Sequence, residues 1–149
     1  MATPETLATI VESIDINAPA SAVFAALTEP EQLTQWWGRE GGFRTTRAMA
    51  DVRVGGAWAM YGVTGEGEQN DLFGTYLIVD PPHHLAFTWR RDPALADDTI
   101  VRYDLEERNG VTHLTVTHTG FVNAEDHDDH VHGWGTVLGW VAAHVEKSA

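Results

Sequence analysis

The chain has 149 residues, of which 43% are hydrophobic, no cysteine and a formal charge of −13. That charge opposes binding to nucleic acid or anionic membranes, and the missing thiols exclude cysteine catalysis, disulfides and cysteine-ligated zinc. No apolar run approaches the roughly 18 residues of a membrane span, and the N-terminus lacks the basic-then-apolar pattern of a secretory signal. We therefore expect one domain, 1–149, in the cytoplasm.

Residues that form covalent intermediates are scarce. The single lysine, Lys147, stands near the C-terminal end, and no serine lies in a G-x-S-x-G turn. These features disfavour Schiff-base and serine-nucleophile chemistry. A binding function is therefore favoured over an enzymatic one, and no cofactor is expected.

The N-terminal part of the chain predicts one strand followed by two short helices. Alternating isoleucines in 7–17 indicate the strand, within which Glu12 either lies at a frayed edge or faces inward. Pro19 suits the first turn of a helix, and Pro30 starts a second one over 31–37.

From residue 43 to residue 119, alternating segments separated by turn residues predict about six antiparallel strands. The clearest breaks are Pro81-Pro82 and Asn109-Gly110, the second of which is the signal for a type I′ hairpin turn. The predicted strands include 57–61, 72–79, 84–89, 99–106 and 111–119, with polar loops at 62–71 and 90–98.

The last segment, 125–147, reads as one long amphipathic helix. Acidic residues at its start and Lys147 at its end match the helix dipole. Gly135, Gly139 and Ala142 flank the apolar stripe and form a smooth shoulder, which suits either close packing on a sheet or the roof of a cavity. The stripe itself contains Val131, Trp134, Leu138, Val141 and Val145.

This order of elements predicts an α+β helix-grip fold. Antiparallel strands with one polar face need their other face covered, and only the C-terminal helix is large enough to do so. We therefore expect a curved antiparallel sheet of about six to seven strands wrapped around the long helix, with two short helices after the first strand.

Seven short motifs occur in register along the chain and carry a family resemblance. They are Ala18-Pro19, 28–37 (TEPEQLTQWW), 51–56 (DVRVGG), 74–76 (GTY), Asp80-Pro81, 87–89 (FTW) and Gly133-Trp134. Together they resemble the homologues of the heat-shock protein 90 ATPase activator, within the START-like (SRPBCC) superfamily. The resemblance implies a helix-grip domain with a deep apolar cavity and, in other members, binding of lipids, sterols or polyketides. It also implies a possible role in the stress response through a chaperone partner.

Large aromatic side chains are the main candidates for a ligand site. By strand parity and the helical wheel, several of them face one interior, either as a plain core or as the wall of a pocket. The candidate ligand-binding residues are Trp37, Trp58, Met60, Tyr76, Phe87, Trp89, Tyr103, His118, Phe121, Trp134 and Leu138.

His118 is the leading polar candidate for a functional residue, because it shares the inward face of its strand with Leu114 and Val116. It is either a buried neutral imidazole that is hydrogen bonded to a neighbour or an acid/base group, paired with Glu12 if that carboxylate also faces inward. No other catalytic residue is predicted.

Two charged clusters complete the candidates. The run 125–132 (EDHDDHVH) offers imidazole and carboxylate, but the helical wheel spreads its histidines, so we expect a solvated acidic helix start and no metal site. Arg39, Arg44, Arg47 and Arg53 form either a basic rim suited to a carboxylated ligand or ordinary ion pairs.

The sequence therefore favours a domain that binds a small hydrophobic molecule (a lipid, a polyketide or an aromatic compound) between the sheet and the C-terminal helix. Two alternatives stay open: an enzyme of hydrolase, cyclase or isomerase type that uses His118, and a co-chaperone-like protein that docks on a heat-shock ATPase. Homodimerisation through a sheet edge or the helix surface also stays open.

Overall fold

The secondary structure follows the predicted order of one strand, two short helices, six strands and one long helix. The computed structural model describes residues 8–38, 42–90, 99–121 and 124–148, so most of the predicted loop 90–98 lies outside the described residues. The elements are β1 (Ile10–Ile16), α1 (Ala20–Thr28), α2 (Pro30–Trp36), β2 (Arg44–Ala50), β3 (Ala57–Val63), β4 (Gln69–Asp80), β5 (His84–Trp89), β6 (Thr99–Arg108), β7 (Val111–Thr119) and α3 (Ala124–Ser148). No helix in the described part of the chain is long and apolar enough to cross a membrane.

The seven strands form one antiparallel sheet in the order β1-β7-β6-β5-β4-β3-β2, which curls into a half-barrel. Since β1 and β2 lie at opposite edges of this sheet, α1 and α2 carry the chain from one edge to the other. β1 pairs with β7, so Ile10 lies opposite His118 and Ile16 lies opposite Thr112. The predicted α+β helix-grip fold is confirmed.

The long helix α3 buries one stripe against the curled sheet. Trp134 and Leu138 are 2% exposed and Val141 is fully buried, as their spacing predicts. The prediction of a shoulder beside this stripe is wrong for Gly135 and Gly139, which are exposed, with no atom within 4 Å of the position that a Cβ would take. A helical wheel gives the angle of each residue, but it does not show which flank the sheet covers.

The hairpin turns show where backbone pairing overrides side-chain polarity. Val63 pairs with Gln69, so the loop between β3 and β4 is 64–68, and the predicted loop 62–71 is too long. Polar residues extend both strands here because the ladder bonds backbone groups and needs no apolar side chain. The turn at Asn109-Gly110 has φ values of 53° and 78°, as the predicted type I′ turn requires.

Candidate functional site

The predicted inward-facing aromatic side chains form one continuous cluster around Trp89 of β5. The ring centroid of Trp89 lies 5.7 Å from that of Trp58 and 5.6 Å from that of Trp134. Trp37, which follows α2, is 5.9 Å from Trp89. Phe87 extends the cluster along the strand, 5.1 Å from Trp58. Strand alternation brings Phe87 and Trp89 to the same face, and the curl of the sheet brings β3 and α3 against them.

These rings fill the interior rather than lining a hollow. The cavity left among them is only about 20 Å³, which is room for about one water molecule. The deep cavity implied by the family resemblance is therefore absent from this part of the described structure, because indole and phenyl rings occupy the space. The residues around the small cavity are Leu27, Leu33, Trp37, Trp58, Met60, Tyr76, Phe87, Trp89 and Tyr103.

A larger, open pocket lies at one end of the cluster, between α3 and the β2–β4 part of the sheet. Its volume is about 420 Å³, which is within the usual range for small-molecule sites. Its lining is mainly apolar and contains four tryptophans. The described lining residues are Trp37, Gly42, Phe43, Asn70, Leu72, Trp89, Asp129, His130, Gly133, Trp134, Thr136, Val137 and Trp140.

The helix wall of this pocket is a second face of α3. Gly133, Val137 and Trp140 recur at spacings of three and four residues, which places them on one line beside the buried stripe. Val137 and Trp140 are half-buried, and Gly133 has no atom within 4 Å of its Cβ position. α3 therefore presents one face to the core and a flank to the pocket.

The opposite wall depends on a glycine of β3. A Cβ at Gly62 would lie 2.5 Å from Cζ of Phe43, so the missing side chain makes room for the phenyl ring. Gly62 also pairs with Asn70, and Leu72 lies two residues further along β4, so Phe43, Asn70 and Leu72 border the pocket together.

Few polar groups face the pocket. Asp129 is exposed at its α3 rim, and Thr136 lies on the same helix. His130 is half-buried, and its Nε2 accepts a hydrogen bond of 3.1 Å from the indole N–H of Trp89. This bond joins the pocket rim to the centre of the ring cluster, so the orientation of His130 is set by the core.

His118 lies beneath the pocket and does not line it. The side chain is fully buried, and its Nδ1 accepts a 2.9 Å hydrogen bond from the indole N–H of Trp134. The proton is therefore on Nε2, which donates to Oγ1 of Thr99 at 2.7 Å; that hydroxyl in turn donates to the carbonyl of Trp89 at 3.2 Å. Burial, with smaller contributions from His130 and His127, lowers the pKa of His118 to about 2. This geometry is that of the buried neutral imidazole, the first of the two alternatives for His118.

The two tyrosines of the predicted site are neutral phenols in the core. Burial, assisted by the negative charge of Asp51, raises the pKa of Tyr76 to about 12. Tyr103 is 2% exposed, and its pKa is also raised, chiefly by burial and secondly by Tyr76. Neither phenol lines the open pocket among the described residues.

The predicted site residues therefore divide into two groups. Trp37, Trp89 and Trp134 line the open pocket. The others are packed in the core, namely Trp58, Met60, Tyr76, Phe87, Tyr103, His118, Phe121 and Leu138. The pocket residues that sequence reasoning missed include Phe43, Leu72, Val137 and Trp140; the repeat of Gly133, Val137 and Trp140 along α3 was the signal that pointed to that flank.

The acidic and histidine-rich start of α3 is not simply solvated. His127 contacts the carbonyl of Ala8 through Nε2 at 2.9 Å, and its ring centroid lies 5.5 Å from that of Phe121. His130 also packs on Phe121, at 5.1 Å. Two of the three histidines thus belong to the core edge, and within the described ranges no three ligand-type side chains are grouped to hold a metal ion.

The three described arginines of the predicted cluster do not line the pocket. Arg53 pairs with Asp51 at 2.8 Å in the turn before β3, and the guanidinium of Arg47 lies 4.5 Å from the ring centroid of Tyr61. Arg44 is exposed at the start of β2, and Arg39 lies outside the described residues. Arg44 and Arg47 lie opposite Val63 and Tyr61 of β3, and Arg53 lies beyond the end of β2.

Comparison with known proteins supports the fold and gives the family. A protein from Chromobacterium violaceum is similar over 93% of this chain and 97% of its own, with 29% identity and a TM-score of 0.80. The AHSA1 protein from Silicibacter pomeroyi is 26% identical over 95% of this chain and all (100%) of its own, with a TM-score of 0.78. A protein from Nitrosomonas europaea shares the fold, with a TM-score of 0.81 at 19% identity over 94% of this chain and 95% of its own.

The sequence itself matches a family model over most of its length. No curated protein matches the chain. The model described as "Activator of Hsp90 ATPase homolog 1-like protein" matches residues 17–146, which runs from the end of β1 to the last turns of α3. The chain therefore belongs to the family of Activator of Hsp90 ATPase homolog 1-like proteins.

Proposed function

We propose that this protein binds a small hydrophobic molecule in the open pocket between α3 and the β2–β4 part of the sheet. The observation that carries this proposal is a cavity of about 420 Å³ walled by Trp37, Phe43, Trp89, Trp134 and Trp140. Sites for small molecules are typically apolar and aromatic clefts of this size, with a few polar groups that orient the ligand.

Two side chains of the packed ring cluster, Trp89 and Trp134, form the rigid base of the pocket. Trp89 and Trp134 are 6% and 2% exposed, and their indole N–H groups are held by His130 and His118. Side chains fixed by packing and hydrogen bonds lose little conformational entropy when a ligand arrives, so this base is preorganised.

Two other tryptophans are free to bond to the ligand. Within the described part of the chain, the indole N–H groups of Trp37 and Trp140 donate to no protein acceptor, and neither nitrogen is a buried atom without a partner. Tryptophan supplies a large apolar surface and one donor. The ligand that we propose is therefore a mainly apolar molecule with at least one hydrogen-bond acceptor.

The direct test is native mass spectrometry of freshly purified protein, followed by solvent extraction. An added mass that leaves on denaturation supports the proposal and gives the ligand's identity. A protein that retains nothing, and that no compound of an acyl and aromatic panel stabilises against heat, would overturn it.

The family description favours a second candidate function, docking on a heat-shock ATPase. That role would use an exposed surface rather than the pocket. Adding the purified protein to the Hsp90-type ATPase of the same organism would test it. A change in ATPase rate that is retained when the pocket is blocked would support docking, and an unchanged rate with no complex on gel filtration would exclude it.

A further inference from the structure

We propose that the open pocket selects organic cations, that is, ligands with an ammonium group on an aromatic or alkyl body; this inference rests on the proposed binding function. Shape and apolar lining decide that a ligand enters, and the charged groups around the lining decide which of several similar ligands binds best.

The charged group among the described lining residues is negative. Asp129 is the only carboxylate among the described lining residues, and none of those residues is a lysine or an arginine. Lys147 is the only lysine in α3, and the helix contains no arginine. Lys147 lies 18 residues beyond Asp129, which is about 27 Å along a helix and several times the screening length at physiological salt.

The described arginines of this part of the sheet do not reverse the negative sign of the lining. The guanidinium of Arg47 lies over the ring of Tyr61, and Arg53 forms its ion pair with Asp51. Neither these side chains nor those of Arg44 and Arg90 are among the described residues that line the pocket. The carboxylated ligand that a basic rim would have suited therefore has no cationic partner among the described lining residues.

The positive end of the α3 dipole is the main opposing effect. It favours anions, but it falls off within the first turn of a helix. α3 starts at Ala124, whereas Asp129, Gly133 and Thr136 line the pocket from the second turn onward. Asp128 and Asp129, in the first two turns, bring negative charge that offsets the dipole.

The aromatic side chains of the pocket also favour a positively charged ligand. The rings of Trp37 and Trp89 are inclined by 38°, and those of Trp37 and Trp134 by 81°, so the indoles of the lining are not parallel. A cation over an indole face is attracted by the negative quadrupole of the ring, and an anion is repelled. Asp129 and the indoles therefore act in the same direction on a ligand's charge.

The test compares three probes of similar size: benzyltrimethylammonium, its neutral isostere neopentylbenzene, and the anion 3-phenylpropionate. Binding to the full chain is measured by tryptophan fluorescence at low and at physiological ionic strength. We expect the cation to bind about 5- to 30-fold more tightly than the neutral isostere, and the anion to bind most weakly.

The matched variants are Asp129→Asn and, as the control, Asp128→Asn, which removes the same charge one residue earlier at an exposed position outside the lining. The preference for the cation should fall in D129N and persist in D128N. If the neutral or anionic probe binds as tightly as the cation, or if D129N keeps the full preference, the inference is overturned while ligand binding stands. If none of the three probes binds, this inference is overturned, whereas the binding function itself is decided by the mass spectrometry and the acyl and aromatic panel.

Discussion

The buried imidazole of His118 predicts a pH dependence of stability. In the folded protein burial holds the pKa of His118 at about 2, whereas an unfolded histidine titrates near its ordinary value of about 6.5. Below that value the unfolded state binds one proton more than the folded state, so the free energy of unfolding falls as the pH falls. The contribution is fully present above about pH 6.5 and is lost progressively below it.

The magnitude follows from the width of this window. Each pH unit between the two pKa values costs about 1.4 kcal/mol, so acidification from about pH 6.5 to about pH 4.5 should cost about 2.5 kcal/mol through His118 alone. The side chain is fully buried, so solvent screening does not reduce this figure. His130 and His127 lower the pKa of His118 in the same sense as burial and to a smaller extent.

The assay is urea unfolding of the wild type and of His118→Gln at about pH 7.5 and about pH 4.5, followed by tryptophan fluorescence. Other titrating groups contribute equally to both proteins, so the difference between the two pH dependences isolates His118. His132→Gln, at an exposed position of α3, is the control and should behave like the wild type.

A measurement on the wild type alone covers the case in which His118→Gln fails to fold. The ring nitrogen resonances of His118 should keep the pattern of a neutral imidazole protonated on Nε2 at about pH 4.5, because Nδ1 is held by Trp134. A His118 signal that titrates with a midpoint near pH 6, or an equal pH dependence in wild type and variant, would refute the reasoning.

Three further predictions follow from the packing around the pocket. Thr99→Val should lower the free energy of unfolding by about 1–3 kcal/mol in urea titrations, because it leaves a buried imidazole N–H unpaired, whereas Thr117→Val on the outer face should change it by less than about 0.5 kcal/mol. Trp134→Ala should lower the free energy of unfolding by about 3–5 kcal/mol, because Trp134 is buried. Trp140→Ala should lower it far less, because Trp140 is half-buried in the pocket wall, and should still weaken ligand binding. Equal losses of stability in the two variants would contradict this division. Gly74→Ala should reduce the melting temperature markedly, because its Cβ would lie 1.9 Å from the carbonyl oxygen of Thr88, and an unchanged melting temperature would show that β4 and β5 can separate there.

The fold could be predicted from the sequence because its signals are local. Alternation in 99–106 and 111–119 and the turn at Asn109-Gly110 each depend on neighbouring residues only, and all three reappear in the structure. The hairpin at 62–71 was predicted less well, because the polar residues near Gln69 pair through backbone bonds that side-chain polarity does not reveal.

The candidate site could be predicted only in part, because it depends on how far the sheet curls and on which flank of α3 it covers. Parity placed Trp89 and Trp134 in one interior, but it could not show that their rings leave room for only about one water molecule. Phe43 and Trp140 both line the pocket although they are 97 positions apart in sequence, and neither belongs to a pattern that links the two segments. The bond between His130 and Trp89 likewise joins α3 to β5 and has no local signature.

The central claim is that the open pocket, rather than the filled cluster, binds the ligand, and the two glycines of α3 allow its most direct test. Leucine is placed at Gly133, which lines the pocket, and separately at Gly135, which faces solvent; both Cβ positions are open, and leucine favours a helix over glycine. The binding of the neutral fluorescent probe N-phenyl-1-naphthylamine is then measured for each variant. The account predicts that Gly133→Leu weakens binding by about tenfold or more while Gly135→Leu binds like the wild type. Equal affinity in the two variants would contradict it.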